Sequence, residues 1–217
     1  MESVSEQCLL EERKYCNVLH LISPDGMNRI TRDRVSALMV IIDELTVDVC
    51  GSRRPLNERN PKALIVTGNQ HYFSVGADLN EIARLDAVEA FEFARMGQRC
   101  MTSIDNFPAP VYAAVSGYCM GGGLDLALAC DFRICAPNAI FGHRGAALGL
   151  LTGWGGTQRL PQVVGRARAA QLFAAAEKLH AAEALETGLV SDIAPDPLIR
   201  AIELISERPP HTTVSTW

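Results

Sequence analysis

A chain of 217 residues, 48% hydrophobic and 21% charged, has the size and composition of one globular domain with a substantial core. Its net charge of -5 supplies no basic stripe for a phosphate backbone, so nucleic acid is excluded as an expected partner. No apolar run approaches the roughly 20 residues that cross a bilayer, and the polar, acidic start MESVSEQCLLEERK lacks the marks of a secretory or transit segment; a soluble, cytoplasmic protein with no membrane association is expected.

Residues 15–22 read as a strand closed by the turn residues Ser23, Pro24, Asp25 and Gly26. A helix follows, with Thr31 as its cap and Val35, Leu38, Met39, Ile42, Leu45 and Val49 forming a buried stripe. Residues 50–61 read as a loop. The β-branched run 62–68 and the run 110–117 are strands of the kind covered on both faces. Between them Asp86 and Glu89 form a capping-box pattern ahead of Ala90, Phe93, Ala94 and Met101. A third strand, 131–136, follows a helix that begins within GGGLDLALAC. This alternation predicts an α/β fold with a largely parallel sheet. The final third reads as helices over 166–178, over 180–187 stopped by Gly188, and over 197–207 capped by Asp196. The seven cysteines are scattered without a CxxC pair, which predicts reduced thiols and no metal site.

Two glycine-containing segments carry chemistry. HYFSVGADL (71–79) follows the 62–68 strand, which places Gly76 and Ala77 at the C-terminal edge of a sheet, where open α/β sheets bind ligands. In SGYCMGGGLDLALACD (116–131) a strand ends at Gly117, and Gly121, Gly122 and Gly123 precede a helix. Unpaired N–H groups at that helix start suit a negatively charged oxygen. Close packing between strand and helix backbones would also select these glycines, so each segment alone leaves both readings open.

Together with FSVGADL (73–79), GYCMGGGLDLALACDFRICAPNAIFG (117–142), GLLTGWGGTQRLPQVVG (149–165) and AAEALETGLV (181–190), the chain resembles the enoyl-CoA hydratase/isomerase, or crotonase, superfamily over residues 15–195. The resemblance implies an α/β fold built as a spiral of ββα units, with a core domain over 1–195 and a short C-terminal helix and tail over 196–217. It also implies a homo-oligomer, a trimer or hexamer, acting on an acyl-CoA thioester of fatty acid metabolism. Coenzyme A enters as part of the substrate, with no separate cofactor. The backbone N–H groups of Ala77 and Gly122 fall on the family's oxyanion hole, which polarises the thioester carbonyl. Asn28, Arg29, Gly76 and Asp78 fall near CoA contacts, and Gly121, Arg144, Gly145 and Trp154 complete the expected substrate-binding set. A single arginine such as Arg29 is as well explained by solvent exposure, and Trp154 by packing. Family members usually run several dozen residues beyond the helix over 197–207, a tail expected to help close the site.

Hydratases of the family use two glutamates. The first falls on Asp125, three residues after Gly122 and on the same helical face. An Asp in a first helical turn also stabilises the helix dipole without chemistry, and both roles stand. The second glutamate falls on Gly145, which has no side chain to move a proton. His143 and Arg144 are the adjacent substitutes, one titrating near neutrality and the other able to hold an anion such as the bicarbonate some members bind; ordinary surface and backbone roles remain open for both. Cys119 lacks a His/Asn set and reads as core. The expected function is therefore enoyl-CoA hydratase-like lyase chemistry. The alternatives are a one-carboxylate isomerase, decarboxylase or C–C lyase, and a degenerate acyl-CoA-binding protein.

Overall fold

The apolar runs pair side by side in the computed structural model, which describes residues 3–5, 7–50 and 62–207. Nearly all of the expected 50–61 loop, and the tail from 208 onward, lie outside the described residues. The chain opens with an antiparallel meander, β1 (Ser3–Ser5), β2 (Cys8–Glu12) and β3 (Cys16–Leu21). Helix α1 (Arg32–Cys50) returns the chain to β4 (Ala63–Thr67), parallel to β3. Thr31 accepts the Arg34 N–H at the start of α1, as expected of a cap.

A repeated unit then builds the rest. In the first, β4 is followed by β5 (Tyr72–Ser74), a short α2 (Leu79–Ile82) and α3 (Ala87–Asp105). In the second, β6 (Val111–Val115) and β7 (Tyr118–Met120) lead into α4 (Gly122–Ala129). In the third, β8 (Phe132–Cys135) and β9 (Ile140–Gly142) lead through a 3-10 turn at Gly145–Leu148 into α5 (Gly156–Val164). After α6 (Arg166–Ala174) come β10 (Leu179–His180), α7 (Ala181–Glu186), β11 (Asp192–Ile193) and α8 (Pro197–Glu207). The first strand of each unit joins a large sheet of order β1-β2-β3-β4-β6-β8-β11, parallel from β3 onward. The second strand joins a small sheet of order β10-β9-β7-β5. This is the expected α/β spiral of ββα units.

Strand alternation assigns the two faces of the large sheet. Leu64 and Val66 of β4 enter the main core with Val111, Ala113 and Val115 of β6, while Ala63, Ile65, Ala114 and Ile134 enter a second cluster closed by Ala201 and Ile205 of α8. The middle residues of the short strands, Phe73, Cys119 and Phe141, are fully buried in the main core. Asp86 and Glu89 make the expected capping box on α3. Asp196 accepts the Leu198 and Ile199 N–H groups at the start of α8.

Sequence reading placed residues 71–79 directly after the 62–68 strand and ended the next strand at Gly117. Both long strands end where expected, β4 at Thr67 and β6 at Val115, but β5 and β7 each add a three-residue strand belonging to the small sheet. Three residues are too few to display a two-residue period, so their sequence reads as loop. The N-terminal β1–β2 hairpin was likewise unexpected, since its residues are mostly polar or half-buried.

One buried side chain ties β3 to the small sheet. Asn28 is fully buried, with φ of 52°, a left-handed conformation that Asn tolerates better than most residues. Its side-chain N–H2 donates to the carbonyls of Tyr72 and Phe73 at 3.0 and 3.2 Å, and its own carbonyl accepts from Ser74 Oγ at 2.7 Å. Ser74 Oγ in turn accepts the Gly76 N–H, and the Gly76 carbonyl accepts the Ile30 N–H. Asn28 therefore fixes the backbone that leads into Ala77. Asn28→Ala is expected to cost about 1–3 kcal/mol of stability by stranding these buried groups, measured by urea unfolding; unchanged stability with weakened CoA binding would show the residue to be a ligand contact instead.

Burial also sets the state of the thiols. Cys119 is completely enclosed and its thiol is held well above the usual cysteine range by desolvation; the same cause pushes Cys8 up to about 11 and Cys100 and Cys130 up to about 12. The nucleophilic thiolate is thereby suppressed. In iodoacetamide labelling at mildly alkaline pH followed by peptide mapping, these four thiols should stay unmodified in the native protein and react after unfolding, and rapid native labelling of Cys119 would contradict its core assignment.

Candidate functional site

Strands β5 and β7 are parallel neighbours, so the turns after them meet. The first turn carries Gly76 and Ala77, the second Gly121 and Gly122. The approach is too close for side chains: a Cβ on Gly76, where φ is 92°, would lie 2.6 Å from the Met120 carbonyl oxygen and 3.0 Å from the Gly122 nitrogen. A Cβ on Gly122 would stand 3.4 Å from the Ala77 nitrogen and 2.4 Å from the Trp154 ring. Gly122 is the first residue of α4, where N–H groups have no intrahelical partner. Among the described residues, neither the Ala77 nor the Gly122 N–H donates to the protein. Two free backbone donors thus share one spot at a helix start.

That spot is the wall of a cavity of about 290 Å3 whose lining includes Ala77, Gly122, Asp125, His143 and Trp154. Helix α4 aims Asp125 inward one turn from Gly122, and the residue is 1% exposed. Strand β9 delivers His143, 5% exposed, just past its end. Their Nε2 and Oδ1 atoms lie 3.2 Å apart, but the pair lacks hydrogen-bond alignment, so both atoms retain unfilled capacity. Thr152 Oγ1 donates to the other carboxylate oxygen, Oδ2. Gly156 closes the back, since a Cβ there would lie 2.1 Å from Asp125 Oδ1 and 2.9 Å from His143 Nε2. An enclosed carboxylate and imidazole beside two free N–H donors can exchange protons with a substrate whose oxygen the donors hold.

The expected residues divide into two groups. Ala77, Gly121, Gly122, Asp125, His143, Arg144, Gly145 and Trp154 all line the cavity, with the Arg144 residue exposed at its rim. Gly76 shapes the turn behind Ala77. Asn28, Arg29 and Asp78 do not line it. Asn28 is the buried bracket described above. Arg29 pairs with Asp25, whose carboxyl it holds down to about 2. Asp78 caps α2 by accepting the Asn80 and Glu81 N–H groups. Thr152 and Gly156 escaped sequence reading, although both stand in the quoted 149–165 stretch. Their signal was a hydroxyl and a glycine whose partners, Asp125 and His143, are remote in sequence.

Gly145 has no room for a larger residue in this arrangement. The 3-10 turn folds back so that the Leu150 N–H donates to the Gly145 carbonyl at 2.8 Å, and a Cβ on Gly145 would lie 2.6 Å from the Leu150 carbonyl oxygen. Backbone occupies the space that a side chain would need.

Comparison with known proteins agrees with this geometry. The family model for enoyl-CoA hydratase/isomerase matches residues 26–206. A crotonyl-CoA hydratase from Syntrophomonas wolfei is 36% identical over 209 residues, covering 94% of this chain and 75% of that protein. A structure of Pseudomonas aeruginosa DspI superposes with a TM-score of 0.84 at 32% identity, covering 94% of this chain and 75% of that one. An enoyl-CoA hydratase from Bacillus anthracis superposes with a TM-score of 0.83 at 30% identity over 93% and 76% of the two chains. Against its curated relatives the chain spans between 65% and 75% of their length. Among the described residues no helix is long and apolar enough to cross a membrane. The fold, the matched family model and the relatives together establish that this chain belongs to the enoyl-CoA hydratase/isomerase family of enzymes.

Proposed function

We propose that the chain hydrates 2-enoyl-CoA thioesters, with Ala77 and Gly122 as an oxyanion hole and Asp125 as the acid/base, coupled to His143. The observation that carries this reading is the meeting of a buried carboxylate, a buried imidazole 3.2 Å away and two free backbone donors on one cavity. In this reading the thioester oxygen lies between the two N–H groups. Asp125 takes a proton from water as the water oxygen bonds to C3. The electron pair of the C2=C3 bond then shifts through C1 onto the thioester oxygen, where the two donors hold the charge. Collapse of that enolate, with a proton returned to C2 from the Asp125–His143 pair, yields the 3-hydroxyacyl thioester and regenerates the enzyme. Each donor contributes about 10² to 10³ in rate, and the proton-transfer group about 10² to 10⁴. The coenzyme A portion enters as part of the substrate. A cytoplasmic homo-oligomer, a trimer or hexamer, belongs to the same reading by resemblance.

Gly145 favours a second reading, movement of a double bond from C3 to C2. That reaction needs the hole and one base, which takes a proton from C2 and returns it to C4. With crotonyl-CoA the hydratase reading requires loss of conjugated-thioester absorbance, whereas a 3-enoyl-CoA substrate that gains this absorbance would select isomerisation.

Asp125→Asn keeps the acceptor for Thr152 but removes the base, so kcat should fall by about 10² to 10⁴ with KM little changed. Wild-type turnover in that variant would sink the assignment. His143→Gln should give a smaller loss. Gly145→Glu should not raise the hydration rate and should lower the melting temperature, because the new side chain must displace the Leu150 carbonyl; a faster enzyme would show that the turn reopens to accept a second carboxylate.

A further inference from the structure

Both oxygens of the buried Asp125 carboxylate are screened. Oδ1 is wholly buried without a hydrogen-bond partner; it faces His143 Nε2 at 3.2 Å and Gly156, where a Cβ would lie 2.1 Å away. Oδ2 accepts the Thr152 hydroxyl. Thr152 is half-buried and lines the cavity beside Asp125, so its hydroxyl covers the oxygen that Gly156 and His143 do not.

Thr152 also stands where two chemistries meet. With Gly153 and Trp154 it lines a second space, a polar cleft between α3 and α5. The cleft carries Gln98, Thr102, Asp105, Gln158 and Arg159, a surface for water. The catalytic side is faced by Leu79, Ile82, Leu85, Leu148 and Leu151, a surface for hydrocarbon. The segment between them is held firmly. Gln98 Nε2 donates to the Gly153 carbonyl at 2.8 Å, and the Arg159 guanidinium donates to the Trp154 carbonyl at 3.3 Å while pairing with Asp105. The Trp154 ring packs edge-on against Phe93, with centroids 5.2 Å apart at 83°. These neighbours fix the threonine before any ligand arrives.

A hydroxyl donates one hydrogen bond and accepts through its lone pairs. The Thr152 proton is committed to Asp125 Oδ2, so toward the cavity Oγ1 offers acceptor positions only. We propose that Thr152 is a catalytic residue, the hydroxyl relay through which Asp125 takes a proton from water. The inference rests on the hydration reading above and names the group that touches its second substrate, water. As the water oxygen bonds to C3, one of its O–H bonds breaks and that proton passes to Thr152 Oγ1. The Thr152 O–H bond breaks in the same step, and its proton passes to Asp125 Oδ2. The C2=C3 electron pair moves through C1 onto the thioester oxygen. Thr152 ends the step as a hydroxyl, and the proton held by Asp125 returns to C2 from the Asp125–His143 pair as the enolate collapses. The relay also lengthens a short arm: aspartate ends one C–C bond before glutamate does, and one intervening hydroxyl restores hydrogen-bond reach to the proton.

The test compares Thr152→Val, Thr152→Ser, Asp125→Asn and the Thr152→Val/Asp125→Asn double variant on crotonyl-CoA. Butyryl-CoA binding is followed by calorimetry, and the wild type is crystallised to locate its cavity water. Thr152→Val should lose about 10² to 10⁴ in kcat, as Asp125→Asn does, with butyryl-CoA affinity within about threefold of wild type. Thr152→Ser keeps the hydroxyl and should recover kcat to within about tenfold of wild type. The double variant should fall no more than about threefold below Asp125→Asn, because two members of one relay do not act additively. In the crystal, a water should sit within hydrogen-bond reach of Thr152 Oγ1 and out of reach of both carboxylate oxygens. A Thr152→Val enzyme within about threefold of wild type overturns the relay. So does a serine variant no faster than the valine one, or a double variant in which the two losses multiply. Butyryl-CoA affinity that falls in step with kcat/KM assigns Thr152 to cavity shape and overturns it too. A wild type that turns over no crotonyl-CoA defeats the hydration reading instead. The relay is then judged on the crystal structure, which also serves where the valine variant does not fold: water on Thr152 Oγ1 alone upholds it, and water bonded directly to Asp125, or none at Thr152, overturns it.

Discussion

Everything at the site depends on how closely two backbone turns can approach. Strands β5 and β7 run parallel in the small sheet, and the chain leaving each passes within van der Waals contact of the other. That contact exists because Gly76 and Gly122 have no Cβ, and it leaves the Ala77 and Gly122 N–H groups side by side without a protein partner. Leaving two N–H groups without a protein partner on a mostly apolar cavity wall is costly to stability. The structure offsets this with a rigid frame: Asn28 and Ser74 satisfy one another and fasten the β5 turn to the chain after β3, while α4 holds the other turn from its first residue. The donors are fixed before any ligand arrives, which is what preorganised electrostatic stabilisation requires.

Gly122, together with Gly97, also governs the shape of the cavity. Trp154 lies against Gly122 on one side and Gly97 on the other, so the residue that permits the donors to meet also admits the indole. The approach of the two turns and the shape of the cavity are therefore coupled through one ring. A chain that kept the donors but filled either glycine position would have to move Trp154, and with it the boundary between the apolar cavity and the polar cleft behind.

Long elements were legible in the sequence because their periods are long enough to see. The stripe from Val35 to Leu45, the capping box at Asp86 and Glu89, and the β-branched run of β4 each repeat a physical rule several times within one segment. The small sheet was hidden for the opposite reason, since β5, β7 and β9 have three residues each and their middle residues, Phe73, Cys119 and Phe141, differ in type. Asp125 and His143 were identified individually, but the 3.2 Å between them reflects how α4 and β9 pack, which no local pattern encodes. Thr152 and Gly156 were missed on the same grounds. Asn28 was assigned toward coenzyme A by resemblance; its left-handed backbone and its bonds to Tyr72 and Phe73 give it a structural task that a motif alone does not reveal.

The resemblance places a glutamate at position 145, where this chain carries glycine, and the structure shows what occupies that place. Where a glutamate side chain would stand, the 3-10 turn draws the Leu150 carbonyl inward, so the position is filled with backbone and offers no proton. A titratable group is instead supplied two residues earlier, by His143 at the end of β9, and Gly156 of α5 leaves it room to reach Asp125. An imidazolium and a carboxylate at this separation would attract one another, whereas two ionised carboxylates would repel. In the proposed hydration the pair then carries one proton between water and C2, so the second function moves into the first group's immediate surroundings. Asp125 has a shorter reach than a glutamate; Thr152 holds its Oδ2, while Oδ1 faces His143 without an aligned hydrogen bond.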